Sequence, residues 1–384
     1  MSVLPTGPAE FQVRLRCGTL RLQVEHAEFP LDELCTFGTR RNPRRRFLII
    51  SKVLGKHVPV RPALMACVHD MLARRLGVSA GPAVVVALAE TAIGLGHGVF
   101  EAFLRQTGRQ DVLFLHSTRY RLDRPVALSF CENHSHATEH LIYVPDDPCK
   151  LEMLRQARTL ILVDDEITTG RTLADLAGRL IARQPRLESV QVVSITDWLE
   201  PQARAQMGAQ MGRPVVFHHL LRGRLRFEAA HAFTVETMPN VVGRGDRKDA
   251  LLSRNHGRFG LTTPVMVDVD RLPLTLASSQ RAEGTRILVL GTGEFAHPPF
   301  LLARHLEQLG LDVYFQATTR SPALVGDGIA SALEFVDNYD DDIPNFVYNV
   351  ADKRYDRIIV CYETRPLPAA HCLVDMLGAE AVFF

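Results

Sequence analysis

LILVDDEITTGRTLADL, residues 160–176, sets an aliphatic run against three acids, then hydroxyl residues around Gly170, then leucines at helical spacing. It reads as a buried strand, a turn and a helix. The turn residues Thr168, Thr169, Gly170, Arg171 and Thr172 put amides and hydroxyls at a helix N-terminus, where the macrodipole favours a phosphate. Gly170 leaves room for the backbone to approach such an anion. Asp164 and Asp165, at the end of the strand, are placed to accept hydrogen bonds from the vicinal hydroxyls of a sugar.

Outward from this stretch, aliphatic runs recur at FLIIS (47–51), AVVVALA (83–89), DVLFL (111–115) and VQVVSIT (190–196). Helical spacing separates several of them, as in Leu64, Val68, Met71, Leu72 and Leu76. Alternation of this kind predicts an α/β fold with a parallel sheet. At 384 residues the chain exceeds what one core usually serves, so a second unit is expected. The pattern weakens between about 239 and 284 and resumes with ILVL (287–290), VYFQA (313–317) and RIIV (357–360). The expected organisation is therefore a first domain over 1–238, a connecting segment over 239–284 and a smaller α/β domain over 285–384. Gly291, Gly293 and Ala296 spell a loose G-x-G-x-x-A, but Gln316, Ala317 and Thr318 stand where a dinucleotide site needs an acid. They read as a turn.

Composition is that of a globular protein, with 46 % apolar and 23 % charged residues. A net charge of +1 leaves no global field for nucleic acid or an anionic membrane. Basic residues concentrate at Arg40, Arg41, Arg44, Arg45 and Arg46, followed by Lys52 and Lys56, which fits a solvated loop or a grip on phosphate or a neighbouring subunit. Asp340, Asp341 and Asp342 read as an exposed turn. Seven scattered cysteines without a C-x-x-C pair point away from disulfides and cysteine-bound zinc, and towards a cytoplasmic location. No run approaches the length of a membrane span, and the first residues do not read as a signal peptide.

The strand, acidic pair and T-T-G-R-T of residues 160–172 resemble the motif of type I phosphoribosyltransferases, enzymes that use 5-phosphoribosyl 1-diphosphate (PRPP). The resemblance implies their parallel-sheet fold, with Asp164, Asp165 and Glu166 at the ribose and Thr168 to Thr172 at its 5-phosphate. It further implies a pyrophosphate loop carrying Glu90, Thr91 and Ala92, and Arg119 as a catalytic diphosphate contact. A covering loop would carry His134, His136 and His140, any of which would serve as a base. Mg²⁺ would be held through the substrate by Asp164 and Asp165. Threonine at 168, where purine-type members carry an acid, resembles the orotate-type motif instead. A nitrogen base is the implied acceptor, and a PRPP-sensing regulator without transfer is the alternative. With Asn42 to Val60, and Thr319, Arg320, Ser321 and Pro322 spelling T-R-S-P, the chain resembles the phosphoribosyltransferase of bacterial tellurium-resistance and stress gene clusters. Thr319, Arg320 and Ser321 are then candidates for binding acceptor or product.

The second domain also reads as a degenerate copy of the first. Ala127, Leu128, Phe130, Asn133 and Tyr143 match Ala332, Leu333, Phe335, Asn338 and Tyr348 at equal spacing. Read by eye, LILVDDE aligns with RIIVCYE, which sets Cys361 and Tyr362 opposite Asp164 and Asp165, and Glu363 opposite Glu166. The lost acids imply lost PRPP chemistry. A copy of this kind predicts an intramolecular pseudo-dimer, with a homodimer as the other arrangement.

Overall fold

The computed structural model describes residues 9–43, 45–77, 81–131, 139–231, 233–234, 239–252, 254–273, 284–351 and 353–384. The chain opens with strands β1 (Ala9–Leu15) and β2 (Gly18–Ala27), a helical turn α1 (Leu31–Leu34), and the pair β3 (Cys35–Thr39) and β4 (Phe47–Ser51). Helix α2 (Pro62–Arg75) leads to β5 (Ala83–Ala87), α3 (Ile93–Thr107), β6 (Val112–His116), β7 (Val126–Cys131), β8 (Glu139–Tyr143) and α4 (Pro148–Gln156). Then come β9 (Thr159–Val163), the two-residue β10 (Glu166–Ile167), α5 (Arg171–Arg183), β11 (Ser189–Asp197), α6 (Pro201–Met211) and β12 (Val215–Ala229).

Their sheet has the order β1-β2-β12-β11-β9-β5-β6, with β10 beside β11. From β12 to β6 it is parallel, and β1 and β2 extend it antiparallel. Strands β5, β6 and β9 are buried at every residue, as continuous apolar runs in a parallel sheet covered on both faces should be. One face packs on α2 and α3 through Val68, Leu72, Val99 and Phe103. The other packs on α5 and α6 through Leu173, Leu176, Leu180 and Met207, a one-sided stripe at helical spacing. FLIIS (47–51) is a strand, but it pairs antiparallel with β3 outside the central sheet. Its apolar run satisfied the pattern of a central strand, whereas the pairing partner lies close by in the chain.

The second unit contains β13 (Arg286–Gly291), α7 (His297–Gln308), β14 (Asp312–Ala317), β15 (Ala332–Val336), β16 (Pro344–Tyr348), β17 (Arg357–Tyr362), α8 (Leu373–Leu377) and β18 (Glu380–Phe383). Its parallel sheet has the order β14-β13-β17-β18, and the first unit has the corresponding run β6-β5-β9-β11. In each, an antiparallel hairpin, β7/β8 or β15/β16, lies in the chain between the edge strand and the next parallel strand.

The described part of the connecting segment is packed rather than loose. Leu261 exchanges backbone hydrogen bonds of 2.8 and 2.9 Å with Phe114 and so covers the edge of β6. Lys248 pairs with Asp341 at 2.9 Å, both side chains 5 % exposed. Asp341 is thus buried instead of lying in an exposed turn, because the segment lays a lysine over it. Val60 and Met65 of the first unit enter the core of the second beside Phe300 and Phe315. No described helix is long and apolar enough to cross a membrane.

Candidate active site

A pocket opens at the C-terminal ends of β5 and β9, where parallel α/β sheets present loops to ligands. Five stretches far apart in sequence line it: Arg40 to His57, Leu88 to Thr91, Arg119, Asp164 to Leu173, and Thr319 to Ser321. The chain leaves β9 at Val163, turns through the acids and enters α5 at Arg171. Gly170 makes that turn at φ +67°, and a Cβ there would meet the Met207 sulfur at 2.5 Å. The left-handed φ is what favours glycine here, since the Met207 side chain could move aside.

Asp165 accepts a 2.8 Å hydrogen bond from the Thr91 hydroxyl, which ties the acidic turn to the loop after β5. Its backbone N–H donates to Asp164 Oδ1 at 3.0 Å. Burial, and then the neighbouring Glu166 carboxylate, push Asp165 up to about 6. Glu166 is paired with Arg45, Nη2 to Oε1 at 2.5 Å. A cation arriving with the substrate suits this turn, since it would relieve two crowded carboxyls. Among the described residues, no group of three or more His, Cys, Asp or Glu forms a metal cage. The adjacent carboxylates of Asp164 and Asp165 suit a hard cation that takes few protein ligands.

The loop after β5 holds Glu90, which is 7 % exposed. Its carboxylate lies 2.7 Å from Lys56 Nζ and 3.4 Å from Arg320 Nε. Burial would raise its pKa, but Lys56 and Arg320 outweigh this and bring it down to about 2. Arg119 Nη2 donates to the Ala89 carbonyl at 3.3 Å, so this guanidinium lies over the same loop.

Of the residues singled out from sequence, Asp164, Asp165, Glu166, Thr168, Thr169, Gly170, Arg171, Thr172, Glu90, Thr91, Arg119, Thr319, Arg320 and Ser321 all line this pocket. Ala92 does not. It is buried at the start of α3, its N–H bonded to the Leu88 carbonyl at 3.1 Å. His140 is likewise not a loop residue. It sits buried on β8, a strand covered at every residue from His140 to Tyr143, with its Nδ1 3.0 Å from the Ser117 hydroxyl and its ring stacked on Phe130. His134 and His136 lie outside the described residues.

Lys56 was read only as one member of the basic run, and His57 beside it was not singled out. The His57 ring lines the pocket and stacks on Tyr348 at 5.6 Å. Burial, with Arg40 and Lys56 nearby, lowers it to about 3, and its Nε2 has no hydrogen-bond partner among the described residues. A histidine in an apolar run carries no local mark of this position.

Residues 34–224 match a family model described as phosphoribosyl transferase, and residues 255–377 match one described as the TRSP domain C-terminal to it. Solved structures that resemble the chain include adenine phosphoribosyltransferase from Rhodothermus marinus, 19 % identical, covering 49 % of this chain and 95 % of that one with a TM-score of 0.33. Another is adenine phosphoribosyl transferase from Trypanosoma brucei in complex with AMP, pyrophosphate and ribose-5-phosphate, 11 % identical, with coverages of 50 % and 80 % and a TM-score of 0.35. A third is hypoxanthine phosphoribosyltransferase from Staphylococcus aureus, 14 % identical, with coverages of 39 % and 71 % and a TM-score of 0.24. No curated protein matches the chain. The chain thus carries a region that matches the phosphoribosyl transferase model, followed by one that matches the TRSP domain model.

Proposed function

We propose that the chain transfers ribose 5-phosphate from PRPP to a nitrogen base. The observation that carries this is the convergence of the Asp164–Asp165 turn, the Thr168 to Thr172 loop, the Glu90 loop and Arg119 on one pocket. The bond from ribose C1 to the diphosphate oxygen breaks, a bond from C1 to the base nitrogen forms, and pyrophosphate leaves with both electrons of the broken bond. The proton on the attacking nitrogen passes to a base. Thr168 to Thr172 hold the 5-phosphate at the N-terminus of α5, and Asp164 and Asp165 hold the ribose hydroxyls. Asp164 and Asp165 would hold a magnesium ion brought in with PRPP, which would neutralise charge on the diphosphate. Arg119 offers paired donors to diphosphate oxygens.

Thr168 brings no carboxylate to the acceptor, so an orotate-like base fits better than a purine. Arg40 in the pocket wall, with Arg45 paired to Glu166 beside it, adds positive charge that suits an anionic one. His57 is the one histidine among the described residues that line the pocket, but burial and the nearby Arg40 and Lys56 hold it at about 3, which leaves it a weak proton acceptor. Thr319, Arg320 and Ser321 grip an anionic part of the acceptor or of a product, the released pyrophosphate included. The resemblance to tellurium-resistance and stress enzymes suits a specialised nucleoside-like product, and the free cysteines suit a cytoplasmic one.

The test is pyrophosphate release from PRPP and Mg²⁺ against a panel of pyrimidine-like, purine and other nitrogen bases. Base-dependent release with an anionic pyrimidine-like acceptor is expected. PRPP binding without release for any base would favour the regulator instead.

A further inference from the structure

The paired strands equate the two units residue by residue. Val84 pairs with Leu113 on one side and Leu160 on the other, and Leu288 pairs likewise with Tyr314 and Ile358. Carried along the strands, this register sets Glu90 opposite Glu294, Thr118 and Arg119 opposite Thr319 and Arg320, Asp164 opposite Tyr362, and Asp165 opposite Glu363. The alignment read from sequence is thus one residue off at the acids. Two hydroxyls confirm the correspondence of the loops. Tyr143 donates to Tyr120 O and accepts from Leu122 N at 3.0 and 2.7 Å. Tyr348 donates to Ser321 O and accepts from Ala323 N, both at 2.8 Å.

The boundary between the units is reciprocal, as at a two-fold axis. Glu294 of the second unit accepts from the Thr118 hydroxyl at 2.6 Å and from Arg119 N at 2.8 Å. Glu90 of the first unit faces Thr319 and Arg320 of the second.

The side chains break this symmetry. In the second unit Arg258 from the connecting segment makes a bidentate pair with Glu363 at 2.8 and 3.0 Å and lies 3.9 Å from Glu294, which fills the space between the two acids. Arg320 instead crosses the boundary. Its Nη2 donates to Tyr120 Oη at 2.8 Å, and its Nε, buried, has no hydrogen-bond partner among the described residues. Arg119 and Arg320, one from each unit, therefore line the same pocket.

We propose that Arg320 is a diphosphate-binding residue, lent by the second unit to the pocket of the first. The proposal rests on the PRPP reading above. A carboxylate in a diphosphate loop repels its ligand, and two cations on Glu90, Lys56 and Arg320, reverse that sign. The planar fork of arginine also leaves donors over for a phosphate oxygen while one holds Tyr120.

The test measures magnesium pyrophosphate and ribose 5-phosphate binding separately by calorimetry on the full chain, with thermal melts to establish folding. Arg320→Gln should weaken pyrophosphate on the order of tenfold to a hundredfold, the scale of a lost charge-assisted contact, and leave ribose 5-phosphate within about twofold. Arg320→Lys should give an intermediate loss for pyrophosphate alone, and it carries the test if the glutamine variant does not fold. Unchanged pyrophosphate affinity, or equal losses for both ligands, overturns the assignment of Arg320. A wild-type chain that binds neither ligand overturns the PRPP reading itself, and this proposal with it.

Discussion

The two α/β units share a strand order, a hairpin and a tyrosine hydroxyl that clamps the following loop, yet they treat the acids at their strand ends in opposite ways. In the second unit Glu363 is fully neutralised by Arg258, both side chains at most 1 % exposed. In the first unit Asp165 has the Thr91 hydroxyl for a partner and Glu166 for a neighbour, at the mouth of a pocket. Burying a carboxyl without a cation is costly. A fold retains that cost where a ligand supplies the missing charge, and relieves it where none does. What the units share is therefore what packing demands, and what differs is what chemistry demands.

The largest effect should come from breaking the closed side. Arg258→Met leaves Glu363 buried without its partner and should cost about 3–5 kcal/mol in denaturant unfolding, while PRPP affinity of the folded protein stays unchanged. A small stability loss would mean that the pair is not what closes the second unit. The open side should show itself in pH. Because Asp165 is raised, its ionised form is the disfavoured one in the folded chain: the stability cost is absent below the ordinary value of 3.8 and fully present above about 6. On the proposed role of Asp165 at the ribose, binding needs the ionised form, and kcat/KM for PRPP should then fall about tenfold per pH unit below about 6. A flat profile between pH 5 and 7 would contradict this account of Asp165.

Much of the fold was readable because its signals are local. Buried parallel strands are continuous aliphatic runs, and the turn from Asp164 to Thr172 keeps its acids, hydroxyls and glycine side by side. The rest depends on contacts that no local pattern records. Lys56 and Arg320 meet at Glu90 from distant parts of the chain, and Lys248 meets Asp341 in the same way. The one-residue slip at RIIV arose because aliphatic runs look alike in any register, whereas hydrogen-bonded pairing admits one. His140 looked like part of a polar loop because its neighbours in sequence are polar, but it lies on β8, which is covered on both faces from His140 to Tyr143.

The most direct measurement is calorimetric titration of the full chain with PRPP and Mg²⁺. One PRPP should bind per chain, and Asp164→Asn with Asp165→Asn should weaken it on the order of a hundredfold or more, as expected when charged contacts to a ligand and its cation are lost. Tyr362→Phe, at the position that matches Asp164 in the second unit, should leave affinity unchanged. Two bound molecules per chain, or full affinity in the folded double variant, would contradict the account of one working site and one closed copy.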